Sequence, residues 1–199
     1  GKAVGGAIDW FFENEEKGII LEEDCLIDLS FYDFVGNMLE KYKNDHRIMN
    51  ISGDNFMTAN MQDINKYYLS KYVHIWGWGT WKRAWKEYDF NMKSWKNKSL
   101  LWKYKSIDGN FWDKLYWISK FDSVGYKITD TWDYQWIYAI TKNNGLSVVP
   151  GANLVSNIGF GNNSTHTTDQ SNFLSNLKTY KINKDIKITE AKVIASELF

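Results

Sequence analysis

An apolar run, Gly18-Ile19-Ile20-Leu21, passes without a spacer into three consecutive carboxylates, Glu22-Glu23-Asp24, with Cys25 next and Asp28 four residues after Asp24. A short apolar run of this kind reads as a buried strand. Acids at its end stand at the C-terminal edge, where open α/β sheets bind ligands. Like charges side by side repel, and a divalent cation relieves the repulsion. The competing reading is a strand that leaves the core through a solvated acidic turn. The pattern alone does not separate the two.

The neighbouring segments set the fold class. Residues 2–17 read as a helix with Val4, Ile8, Phe11 and Phe12 on one face and Gly18 as its stop. Ser30 is expected to cap a helix over 31–42 with Phe31, Phe34, Val35, Met38 and Leu39 inward. Residues 47–53 read as a second buried strand and turn. This strand–helix–strand order predicts parallel pairing through a right-handed crossover. Farther on, the pattern predicts a strand at 72–75, a tight turn over 76–79, and a helix capped by Thr80 with Trp81 and Trp85 on one face. Short helices are expected across 86–105, then a helix over 111–124 closed by Gly125 and a strand at 126–129. A helix over 132–142 capped by Thr131 and a strand at 146–149 complete the pattern. The expected architecture is α/β, a mixed and mostly parallel central sheet flanked by helices. Residues 159–170, rich in Gly, Asn, Ser and Thr, are expected to be mobile, and the last twenty residues read as a peripheral arm.

Composition narrows the function classes. Lys+Arg and Asp+Glu both number 24, so no global charge favours nucleic acid or a membrane surface. One cysteine excludes an internal disulfide and a cysteine-based zinc site, and the three histidines are scattered. No apolar run approaches the roughly 20 residues that span a bilayer. These features point to a soluble cytoplasmic protein. Aromatic residues make up 17% of the chain, with 11 Trp, which is more than cores usually take and raises the expectation of a sugar or nucleotide site.

Taken together, several segments resemble bacterial glycosyltransferases of the GT-A fold (glycosyltransferase family 2-like). They are Gly18-Ile19-Ile20-Leu21-Glu22-Glu23-Asp24-Cys25, Arg47-Ile48-Met49-Asn50-Ile51-Ser52-Gly53, and His74-Ile75-Trp76-Gly77-Trp78-Gly79-Thr80-Trp81-Lys82-Arg83-Ala84-Trp85. More distantly, the motif order is similar to the inverting N-acetylglucosaminyltransferase I family, through Glu22-Glu23-Asp24, Gly77-Trp78, Trp132-Asp133 and Phe160-Gly161…Ser164-Thr165-His166. The likeness covers about residues 1–160, a partial GT-A domain, and leaves 161–199 as a mobile loop and C-terminal arm.

The resemblance implies a metal-dependent transfer of a sugar from a nucleotide-diphosphate donor to a glycan or other hydroxyl acceptor, inverting at the reacting carbon. It implies Asp24 as ligand to Mn²⁺ or Mg²⁺, with Glu22 and Glu23 directed at the donor, although the family's middle acid is commonly Asp. It implies Asp133 as the base on the acceptor hydroxyl; the plain alternative is an acid neutralising a helix N-terminus. Trp76, Gly77, Trp78 and Gly79 are implied around the donor sugar, against ordinary core packing. His166 is a second metal or phosphate contact on this reading, and a solvated loop histidine on the other. The family's first nucleotide-gripping strands have no counterpart before Lys2, so the chain is expected to be incomplete at its N-terminus, weak as a transferase, and inclined to self-associate through an open sheet edge. The rival class is a non-catalytic carbohydrate-binding or structural domain that uses a Trp-rich surface. It differs in being indifferent to metal.

Overall fold

The structure is a computed structural model that describes residues 1–56, 63–159, 176–182 and 189–190. In chain order the elements are α1 (Lys2–Asn14), β1 (Lys17–Ile20), β2 (Cys25–Ile27), α2 (Ser30–Lys41), β3 (Ile48–Ser52), β4 (Lys66–Ser70), β5 (Trp78–Trp81), α3 (Lys82–Trp85) and α4 (Lys93–Lys96). They continue with α5 (Leu100–Ser106), α6 (Phe111–Gly125), α7 (Asp133–Lys142), β6 (Leu146–Pro150), β7 (Val155–Asn157) and β8 (Thr189–Glu190). Two compact units share them. Gly1–Glu16 with Lys82–Gly145 is helical, and Lys17–Trp81 with the chain from Leu146 onward carries every strand found among the described residues.

The strand-bearing unit is α/β, as expected, but its sheet is mostly antiparallel. Six strands run in the order β1-β5-β3-β6-β4-β8. Three pairings are antiparallel (β1 with β5, β5 with β3, β6 with β4), and two are parallel (β3 with β6, β4 with β8). A separate ribbon pairs β2 with β7, again antiparallel. The crossover expected to bring β1 and β3 together does leave them running the same way, but β5 is inserted between them. Residues 76–79 explain the difference. Only Trp76 and Gly77 form a bend; Trp78 to Trp81 is a fully buried strand, and Thr80 donates its hydroxyl to Met49 O at 2.6 Å instead of capping a helix. Strand 72–75 is likewise displaced to Lys66–Ser70.

Helix α2 packs its inward face on this sheet. Phe31, Phe34, Val35, Met38 and Leu39 are all buried, as their spacing predicts, in one core with Ile48, Ile51, Leu69, Trp81, Val148 and Val155. The helix start is held by Asp28, whose Oδ1 accepts from the N–H (2.8 Å) and hydroxyl (2.6 Å) of Ser30. Ser30, the expected cap, sits inside the first turn and accepts from Ile182 N at 2.9 Å. Ile182 is itself buried in the core, so residues 180–182 of the expected arm are docked on the unit. Residues 160–170 lie outside the described residues.

In the helical unit, α1 ends at Asn14, ahead of Gly18, because Glu15 is already extended. Asn110 and Asp113 form a capping box at the start of α6, which satisfies the first backbone donors reciprocally. Residues 126–129 form no strand: Ile128 N bonds back to Ser123 O and Lys127 takes a left-handed φ of 61°. Aromatic side chains fill this unit. Trp95, Phe121 and Tyr138 share one cluster, and Trp85 stacks on Tyr88 with ring centres 4.1 Å apart. Buried Lys103 is neutralised by Asp122, which also accepts from Trp95 Nε1 at 2.8 Å.

Gly79 sets the distance between α2 and the sheet, since a Cβ there would stand 2.5 Å from Val35 Cγ1. Gly79→Ala is expected to cost about 1–3 kcal/mol of stability through overpacking. Chemical denaturation checks this, and an unchanged midpoint would refute the packing role.

Candidate functional site

β5 runs antiparallel to both β1 and β3, and β6 runs parallel to β3, so β1, β3 and β6 end at the same edge of the sheet. The acidic turn leaves β1 there, Gly53-Asp54-Asn55 leaves β3, and Gly151-Ala152-Asn153 leaves β6. The Trp76–Gly77 bend enters β5 at that edge. Backbone bonds tie these segments together: Gly53 N donates to Gly77 O at 2.8 Å, and Leu154 N to Gly53 O at 3.0 Å. Asn55 N donates to Asn153 Oδ1 at 3.0 Å, and Asn55 Nδ2 to Pro150 O at 2.6 Å. Gly77 has φ +63°, a conformation that favours glycine, and a Cβ there would crowd Val155 at 3.0 Å and Leu21 at 3.1 Å. Leu21, which leads into the acidic turn, and the Trp-Gly bend, more than 50 residues farther on, therefore lie side by side.

Within the trio, Cys25 N bonds to Glu22 O at 3.1 Å, closing a tight turn. Glu23 is exposed, while Glu22 and Asp24 are half-buried. Asp24 O accepts from Ile158 N at 2.9 Å, which draws the chain after β7 alongside. A side chain on Gly159 would collide with Asp24 Oδ2, so glycine is what lets the chain after β7 pass close against that carboxylate. Among the described residues, no three His, Cys, Asp or Glu side chains converge as a metal cage. The adjacent Cys25 thiol is pushed up to about 12, chiefly by burial and further by its acidic neighbours. It is protonated at neutral pH.

Four residues were expected around a donor sugar, and they divide into two pairs. Trp76 and Gly77 stand in the bend at the strand ends. Trp78 is fully buried, and Gly79 faces Val35 and Leu39 of α2, so both serve packing. Asp133 belongs to the helical unit, at the first position of α7, where its Oδ1 accepts from Tyr134 N at 2.7 Å and from the Thr131 hydroxyl. His166 lies outside the described residues.

The sequence reading passed over Asp54 and His74. Both are buried, 0% and 4% exposed, with Asp54 Oδ1 and His74 Nδ1 3.7 Å apart. None of their side-chain oxygens or nitrogens has a hydrogen-bond partner of normal geometry. Phe56 stacks on the imidazole at 4.3 Å and meets Trp76 edge-on at 5.0 Å. Burial raises the Asp54 carboxyl well above the ordinary range, although the backbone N–H groups of Asp54 and Trp76 oppose it. Burial also lowers His74 to about 4. Beneath the pair runs a satisfied polar seam: Asn50 Nδ2 donates to Ser147 Oγ at 2.8 Å, and Ser52 Oγ to His74 O at 2.9 Å. The available signal was an aspartate directly after a buried strand, at the same edge as the acidic trio.

Opposite pH dependences follow from the pair. His74 binds fewer protons folded than unfolded between its usual 6.5 and about 4, so its contribution is lost as pH falls through that window. Asp54 binds more protons folded than unfolded above the ordinary carboxyl range, so its contribution is lost as pH rises through the raised value. Asp54→Asn is expected to gain Tm on the wild type progressively as pH rises, and His74→Gln as pH falls below about 6.5. Parallel melting profiles from pH 4 to pH 9 for all three proteins would contradict this.

Against known proteins, no protein-family model and no curated protein matches the chain.

Proposed function

We propose that this sheet edge is the donor site of a metal-dependent glycosyltransferase that moves a sugar from a nucleotide-diphosphate donor to a hydroxyl acceptor with inversion. One observation carries the reading: the carboxylate turn and the Trp-Gly bend lie together at the C-terminal ends of β1, β3 and β6. Strand ends of this kind are where α/β sheets take nucleotides. Asp24, half-buried at this edge, offers hard carboxylate oxygen, which suits Mg²⁺ or Mn²⁺. Such ions need only one or two protein carboxylates when substrate phosphates supply other ligands, so the lack of a three-acid cage among the described residues fits. Bound there, the cation supplies neutralisation of the leaving diphosphate.

The chain's own residues do the rest. Glu22 and exposed Glu23 accept hydroxyl hydrogen bonds from donor sugar or ribose. Trp76 gives the sugar an apolar wall, and the side-chain-free Gly77 lets backbone approach it. Asp133 stays the candidate base for the acceptor hydroxyl on the family resemblance alone, and its bonds to Thr131 and Tyr134 fix its carboxylate within the helical unit. Among the described residues no strand pairs with the outer edge of β1, which supports self-association through that edge.

A non-catalytic carbohydrate-binding domain is the second reading, and exposed Trp10 and Trp112, 68% and 75% accessible, favour it. The two part on metal. With Mn²⁺ present, a nucleoside diphosphate from a panel covering the common bases is expected to raise Tm, by the equivalent of about 2.7 kcal/mol at a hundredfold excess over Kd. Asp24→Ala is expected to lose that shift while melting normally without ligand. Sugar binding that ignores metal and survives Asp24→Ala would hand the case to the second reading.

A further inference from the structure

Helix α6 is apolar on two opposite faces. Ile118, Phe121 and Val124 point into the core of the helical unit. Trp112, Leu115 and Tyr116, at i, i+3 and i+4, form a stripe on the other side and are 75%, 40% and 51% exposed. Phe111 extends this stripe and meets Tyr104 of α5 with ring centres 6.4 Å apart. A solvent-facing helix surface normally carries polar residues, so the stripe marks a surface that meets something.

Charge says what it meets. The whole chain is neutral, yet residues 93–127 hold eight lysines against three aspartates. Lys103 is buried and paired with Asp122, which leaves seven lysines against two aspartates, and of those two Asp113 closes the α6 capping box. Lys120 Nζ lies 5.2 Å from the Tyr116 ring centre, and Lys114 Nζ 4.7 Å from that of Tyr104. One face of each of these rings thus carries an ammonium group. The segment contains no arginine. Protein interfaces favour arginine and are poor in lysine, whereas interfacial helices combine Trp, Phe and Leu with a lysine rim.

We propose that the exposed α6 stripe and its lysine rim dock this protein on an anionic lipid surface, the rings entering the headgroup layer and the ammonium groups meeting lipid phosphates. This does not depend on the glycosyltransferase reading. The test is cosedimentation of the full chain with phosphatidylcholine vesicles, with and without phosphatidylglycerol, at low and high salt. Binding is expected to the anionic vesicles only, and to fall with salt. Trp112→Ser with Tyr116→Ser, and separately Lys114→Glu with Lys120→Glu, are each expected to weaken it by roughly tenfold or more at unchanged Tm. Equal partition onto neutral vesicles, or none onto anionic ones at low salt, overturns the proposal. So does anionic binding indifferent to the Trp112 and Tyr116 substitutions, which would be charge attraction without docking. A dimer in solution abolished by those same two substitutions would assign the stripe to a second copy instead.

Discussion

The insertion of β5 between β1 and β3 is the constraint on which the rest of the sheet unit depends. Trp78 pairs with Ile20 on one side and Ser52 on the other, and Gly79 with Ile19 and Ile51. Side chains alternate along a strand, so a slip of one residue would exchange the faces of Trp78 and Thr80 with those of Gly79 and Trp81. Gly79 would then no longer lie beneath Val35, and Trp81 would lose the bond from its Nε1 to Leu39 O at 3.2 Å. The register is therefore held from both edges and from α2 above. Its consequence is spatial: it brings the bend before β5 to the ends of β1 and β3, where the acids are.

That edge breaks the ordinary rules of a protein interior. Asn50, Ser52 and Ser147 are fully buried but bonded to one another, so their cost is largely offset. Asp54 and His74, immediately beyond, are buried without such bonds. A buried carboxyl without a well-formed hydrogen bond costs on the order of 1–3 kcal/mol. Local violations of this kind concentrate where a protein works, because only function keeps them. The pair stands within one residue of Gly53 and two of Trp76, both part of the tied strand ends.

What the sequence made legible follows interaction range. The α2 face, the β3 strand, the α6 helix with its glycine end, and α7 were readable because periodicity, caps and breakers act within a few residues. The β5 strand was not. Glycines and a threonine among tryptophans look like a turn and a cap locally, and only pairing with β1 and β3 from both sides makes them a strand. The parallel sheet was misjudged for the same reason, since local order fixes the direction of β1 and β3 but not what comes between. Asp24 and Trp76 stood out because their motifs are contiguous. Asp54 and His74 did not, being ordinary residues 20 positions apart whose meaning comes from burial alone.

On the proposed reading, the splayed acidic turn also dictates how ligands arrive. Three converging carboxylates would hold a divalent ion without help and would repel the diphosphate less once filled. A single half-buried Asp24 beside a glycine does neither alone. One carboxylate binds a hydrated cation weakly, and a lone diphosphate meets the repulsion of Glu22, Glu23 and Asp24. With both present, the phosphates would complete the cation's coordination and the cation would mask the acids, so each ligand would raise the affinity for the other by the same factor. A site built this way fills when both are present and stays open when either is missing, which makes the nucleotide itself part of the metal centre.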